Sequence, residues 1–198
     1  MKKTNKYIIK GQSVSGVTTI IDYKVSRQLC YWFGKNGTEE CKRISDEAKN
    51  FGTKVHSIIG AYISGQKQSL SGINKDILDN FKLVTEGWEW LETEKVLLNE
   101  KYMYGGTADA IALIDGVKTL IDIKTGNLYD NKETVQLSAY MACLPDIKQA
   151  KIVLLDKDTN AWQVLDRETK DVFQVFLAFQ TIYNYETGRD KYIKNRKD

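Results

Sequence analysis

The sequence predicts an α+β or mixed α/β domain: a central mixed β-sheet flanked by helices, with a helical region ahead of it. Three observations point there. Apolar residues recur at helical spacing over the first half of the chain; the period then changes to that of strands near Lys95; and an Asp115-Gly116 pair sits between two apolar runs, a strong local signal for a β-hairpin. Helices first, then a meander, a helix and a second hairpin are the order expected of such a fold.

The elements follow in chain order. The β-branched run Val17, Thr18, Thr19, Ile20, Ile21 suggests a short extended or turn-entry segment up to Asp22. Residues 39–64 read as mostly helical with a break near Gly52, their second half striped by Val55, Ile58, Ile59 and Tyr62. A second helix is predicted over 74–92, with Asn74 as N-cap and Ile77, Phe81, Val84, Trp88 and Leu91 on one stripe. Strands are predicted at 95–104, 107–114 and 117–124, a helix at 131–144, a strand pair at 149–156 and 161–166, and a closing helix at 169–187.

At 198 residues, with 42% hydrophobic and 28% charged residues, the chain suits one domain with a real core. It divides into a mainly helical part over 1–93, a core over 94–190 and a basic tail over 191–198. A net charge of +3 is compatible with a polyanionic partner and decides nothing by itself. Three cysteines without a C-x-x-C pair argue against a disulfide framework and against an iron–sulfur or four-cysteine zinc site. The basic N-terminus is followed by no apolar signal region, and no run is long enough to span a membrane. The expectation is a soluble, cytoplasmic protein.

The chemistry concentrates on the predicted hairpin. With Asp115-Gly116 as a two-residue turn, Ile114 faces Val117. The same pairing carried down the ladder sets Asp109 opposite Asp122 and Thr107 opposite Lys124. Period-two alternation puts Asp122 and Lys124 on one face. Two carboxylates facing each other among Ile111, Leu113, Leu120, Ile121 and Ile123 are destabilising unless compensated. A divalent cation is the natural compensation, and hard carboxylate oxygens suit Mg²⁺ or Mn²⁺. The plainer alternative is a solvated strand edge with Asp109 at a turn after Gly105-Gly106.

Gly106-Thr107-Ala108-Asp109, Ile121-Asp122-Ile123-Lys124-Thr125-Gly126 and Gln136-Leu137-Ser138-Ala139-Tyr140 together resemble the PD-(D/E)XK nuclease superfamily, in particular its RecB-type exonuclease branch. The branch's upstream Gly-x3-His is matched by Gly52 and His56, and its glutamate before the first motif strand by Glu100. Alanine stands where the superfamily's nominal proline precedes the first aspartate, and the cysteines do not fit the cluster-bearing relatives.

The resemblance implies a restriction-endonuclease-like core and a metal-dependent DNA exonuclease. It implies Asp109, Asp122, the Ile123 carbonyl and His56 as metal ligands, with Lys124 holding or deprotonating water or offsetting charge on the phosphorane. Lys124 is alternatively the salt-bridge partner of Asp122, and His56 a packed residue. Gln136 and Tyr140, at i and i+4, share a helix face; the resemblance sets them beside the site and the substrate, and the alternative is a core tyrosine and an exposed glutamine. Glu100 either helps bind metal, orients Lys124 or faces solvent. The expected partner is DNA, single-stranded or with free ends, with a recombination or helicase protein as a further one. Two other functions stay open: a non-catalytic nucleic-acid-binding module on the same scaffold, and an endonuclease working with a partner subunit.

Overall fold

The structure, a computed structural model, describes residues 7–24, 27–128 and 131–189, without the side chains of 27 and 28. The basic tail read at 191–198 lies outside the described residues. Short strands β1 (Tyr7–Ile9) and β2 (Gln12–Gly16) open the chain. Helices α1 (Val17–Asp22), α2 (Arg27–Asn36), α3 (Thr38–Ile63) and α4 (Ile73–Val84) follow. Then come β3 (Glu89–Asn99), β4 (Tyr104–Ile114) and β5 (Val117–Thr125), α5 (Lys132–Met141), β6 (Gln149–Leu155), β7 (Trp162–Asp166) and α6 (Phe173–Glu186).

The strands form one mixed seven-stranded sheet in the order β1-β2-β4-β5-β6-β7, with β3 also on β4. The pairs β2·β4 and β5·β6 are parallel and the others antiparallel. The mixed α/β sheet flanked by helices agrees with the fold class expected from sequence. On one face, Val17, Ile20 and Ile21 of α1, Val135, Leu137 and Ala139 of α5 and Phe176 of α6 bury Leu120, Ala150 and Ile152. On the other, Val55, Ile58 and Ile59 of α3 and Ile77, Leu78 and Phe81 of α4 bury Ile121, Ile123, Val153 and Leu155. Even- and odd-numbered residues of β5 and β6 thus feed opposite cores, as the strand period requires.

Several expected elements are corrected. Val17–Asp22 is a helix: burial of Val17, Ile20 and Ile21, spaced i, i+3, i+4, overrides the weak helix propensity of β-branched residues. Helix α3 runs through Gly52 without a break. The helix expected to reach Glu92 ends at Val84, where Thr85 Oγ1 donates to the Phe81 carbonyl and Gly87 takes φ of +80°; its N-cap is Gly72, not Asn74. Trp88 and Trp90 pack on the α3–α4 core from a turn and a strand, and Leu91 is exposed. The boundary placed at 93/94 therefore cuts through β3, and β1 and β2 add strands to the part read as mainly helical.

Candidate active site

The turn after β4 is of the expected kind: Asp115 and Gly116 both adopt positive φ, 50° and 78°, as a type I′ turn needs. The ladder runs from Ile114–Val117 to Ala110–Ile121 and stops there, one step short of Asp109 and Asp122. In place of the next backbone pairing, the Ile123 N–H donates to Asp109 Oδ2 at 2.7 Å. Thr107 does not reach Lys124; it faces Val96 on β3, and its hydroxyl meets the Tyr7 hydroxyl at 3.1 Å.

The reason is a local change of pitch in β4. Ala108 packs in the α5-side core and Ala110 in the α3-side core, so alternation breaks at Asp109. Opposite it, in unbroken register between Thr93–Ala110 and Lys95–Ala108, Glu94 has φ of +51°, a conformation that residues other than glycine rarely adopt. The change of pitch lets Asp109 turn to His56 on α3, Nδ1 to Oδ1 3.4 Å, while still touching the backbone of β5. On the free edge of β4, β2 pairs with Tyr104 and Gly105 and β5 with Ala110 onward, so the stretch from Gly106 to Asp109 has no strand beside it there among the described residues.

Asp122 and Lys124 share the α5-side face of β5. Asp122 is 2% exposed. Its Oδ1 accepts from Lys124 Nζ at 2.9 Å and Gln136 Nε2 at 3.1 Å, and Lys124 Nζ also donates to Gln136 Oε1 at 3.2 Å. Gln136 Nε2 lies 3.3 Å from the Tyr140 hydroxyl, one helical turn on. Lys124 Nζ is 2.8 Å from Asp122 Oδ2 as well, but the donor geometry is satisfied at Oδ1, so Oδ2 is a buried oxygen with a charge contact and no hydrogen bond.

Burial pushes the Asp122 carboxyl up to about 6; Asp109 adds to the rise and Lys124 opposes it. For Asp109 burial works the same way, yet His56, Lys124 and the Ile123 N–H outweigh it and hold the carboxyl below its ordinary value. Burial opposes the charge of Lys124, but Asp122 and Asp109 raise it, so the ammonium persists at neutral pH. Burial likewise opposes the imidazolium of His56, and Asp109 lifts its pKa above the usual value. Burial, with Asp122 and Asp109, keeps the Tyr140 phenol protonated.

No family model and no curated protein matches this chain. Among solved structures it is similar to SSO0001 at 19% identity and a TM-score of 0.35, over 54% of this chain and 57% of that one. It is also similar to the alkaline exonuclease LHK-Exo of Laribacter hongkongensis, at 12% identity and a TM-score of 0.37, over 91% of this chain and 94% of that one. The same exonuclease in complex with dAMP gives 14% identity and a TM-score of 0.37.

The structure thus brings together Asp109, Asp122, Lys124, Gln136, Tyr140, His56 and the backbone of Ile123. Glu100 is not among them: it sits in the turn between β3 and β4, largely exposed, paired with Lys10 at 3.2 Å. The carboxylate that approaches the cluster from β3 is Glu94, whose pKa is raised by burial and by Asp109. Starting that strand at Lys95 left Glu94 out of the sequence reading. Pairing Asn99 with Tyr104 across the turn and counting back sets Glu94 opposite Asp109. Among the described residues no three His, Cys, Asp or Glu side chains converge as a ready ligand set; Asp109 instead faces the His56 imidazole and Asp122 the Lys124 ammonium. The Oδ2 of Asp122, held only by its ion pair with Lys124 and set beside a second carboxylate, nevertheless fits a hard divalent cation by donor chemistry.

Gly106 seats Tyr140. A Cβ there would lie 2.3 Å from Tyr140 Cε1, and that ring is buried and tied to Gln136. Gly106→Ala is expected to destabilise the protein by about 1–3 kcal/mol through overpacking. Urea denaturation measures it, and the penalty should shrink when Tyr140 is also truncated to alanine.

Proposed function

We propose that the chain is a metal-dependent nuclease that hydrolyses phosphodiester bonds in DNA, acting as an exonuclease. The observation that supports this reading best is Asp122: a carboxylate with one oxygen lacking a hydrogen bond, 2% exposed, set beside Lys124 and near Asp109. A fold does not bury such an arrangement for stability, because two acids close together in a dry site cost free energy. Asp122 and Asp109 are the residues that would hold a Mg²⁺ or Mn²⁺ ion. When bound, a divalent cation supplies Lewis-acid polarisation of phosphate and water.

The chain's own groups have distinct tasks. Lys124 stays protonated between Asp122 and Gln136, so it serves as a fixed cation opposing charge that builds on the phosphate rather than as a base. Gln136 uses its carbonyl to orient the ammonium and its amide to orient Asp122. His56 fixes Asp109 from the α3 side. Tyr140, held as a neutral phenol, is available as a donor to substrate oxygen.

End-labelled single- and double-stranded DNA incubated with Mg²⁺ or Mn²⁺ should be shortened progressively, and chelation should stop the reaction. Closed circular DNA should resist. Cleavage of the circle would turn the reading to an endonuclease, and DNA binding without digestion under every metal would turn it to a non-catalytic module. No helix among the described residues is long and apolar enough to cross a membrane, and access to DNA does not require one.

A further inference from the structure

We infer that Tyr7 is a substrate-contacting residue, its phenol hydroxyl donating to a non-bridging phosphate oxygen of the strand held beside Asp109. This rests on the nuclease reading above and adds to it a residue from the opposite end of the chain. Three observations lead to it.

The first is a cradle. A Cβ on Gly105 would lie 2.4 Å from Tyr7 Cγ and 2.6 Å from its Cβ, and one on Gly16 would lie 3.0 Å from Tyr7 Cε2. Two strands therefore lack side chains where the Tyr7 ring rests. Gly106, the next residue of β4, does the same for Tyr140. Successive strand residues project to opposite faces, so one phenol is clamped against each face of a diglycine. An aromatic ring held this way loses little further freedom when its hydroxyl engages a ligand.

The second is position. The Tyr7 hydroxyl meets the hydroxyl of Thr107, on the stretch of β4 from Gly106 to Asp109 that, among the described residues, has no strand along its outer edge. Thr107 precedes Asp109 by two residues, about 7 Å along a strand. A strand laid along this stretch would run past both Tyr7 and Asp109.

The third is chemistry. A phenol both donates and accepts. If Thr107 donates to it, the Tyr7 proton is left for an anion, and the acids nearby reject any second acceptor that lacks a cation to screen it. A phosphodiester bound with a divalent ion meets that condition.

Tyr7→Phe keeps the ring and removes only the oxygen. Loss of one hydrogen bond to a charged group predicts a KM for a labelled oligodeoxynucleotide raised about tenfold, with kcat within about twofold and a melting temperature lowered by no more than the few degrees that loss of the Thr107 hydrogen bond accounts for. Binding is read separately by fluorescence anisotropy with the same oligodeoxynucleotide and Ca²⁺ in place of Mg²⁺, at early times before digestion, with Asp122 left intact. There, Tyr7→Phe should weaken binding by a similar factor. Unchanged KM and unchanged binding overturn the assignment, as does a loss of binding that Thr107→Val, which removes the same internal hydrogen bond and keeps the phenol, reproduces in full. If the unmutated chain digests no DNA, the nuclease reading fails, and the anisotropy comparison still decides whether Tyr7 touches nucleic acid.

Discussion

Asp122→Asn is expected to lower metal-dependent digestion of DNA by about a thousandfold, the scale seen when one preorganised charge-stabilising group is removed from a site. The amide keeps the shape of the carboxylate and can still accept from Lys124 and Gln136 through its oxygen. What changes is the other atom: a donor replaces the oxygen that meets Lys124 Nζ at 2.8 Å without a hydrogen bond, and a donor repels that ammonium as it repels an added cation. The fold should tolerate the exchange. With its folded pKa raised from 3.8 to about 6, Asp122 holds its proton more tightly folded than unfolded. Its contribution to stability therefore grows as pH falls from above 6 towards 4, and at neutral pH the anion is a cost that asparagine removes. Against this, Lys124 gives up one of the two carboxylates that sustain its charge, keeping Asp109 and the Gln136 carbonyl. The two changes oppose, and the melting temperature should move by only a few degrees. Lys124→Met is harsher, since it leaves the buried anion uncompensated. Digestion of end-labelled DNA by Asp122→Asn at the unmutated rate would remove the basis for assigning chemistry to this site.

The parts of the site that were legible in the sequence are those set by local rules. A two-residue turn at Asp115-Gly116 fixes register over the nearest pairs because the turn geometry admits little else. Gln136 and Tyr140 share a face because a helix repeats every 3.6 residues. A regular ladder continued from that turn would pair Asp109 with Asp122, whereas the strands part there and the Ile123 N–H turns to a side chain. No local pattern announces that break. Its visible sign is Glu94, whose backbone takes a conformation that residues other than glycine rarely adopt, and a helix read through to Glu92 hid it.

Tyr7 was illegible for a different reason: the cradle that holds it joins nearby Gly16 to Gly105, about a hundred residues away. The pair Gly105-Gly106 did carry a signal, since glycine inside a strand marks a close approach by something else. Only the fold says that two tyrosines make the approach. α1 was misread because its propensity and its burial disagree, and burial won.

Phe81→Ala is expected to cost about 3–5 kcal/mol, the range for emptying a fully buried phenylalanine site. Its ring is 0% exposed and lies among three aromatic neighbours, with centroids 5.1 Å from Trp162, 5.7 Å from Trp90 and 6.2 Å from Tyr62. The hole would be hard to collapse, because Trp162 is tethered through its Nε1–H to the Ile77 carbonyl at 2.9 Å and cannot swing inward cheaply. The same core seats Val55, Ile58 and Ile59 of α3, the helix that presents His56 to Asp109. Urea denaturation should show the midpoint falling with little change in slope. Digestion per folded molecule, measured well below the new midpoint, should stay within a few-fold of the unmutated rate, since no reacting group is touched. Asp122→Asn is expected to do the reverse, so the pair separates what holds the sheet from what acts on the phosphate. A Phe81→Ala protein that stays folded yet loses digestion as completely as Asp122→Asn would mean that the α3–α4 core sets the distance between His56 and Asp109 directly, and that this distance limits the rate.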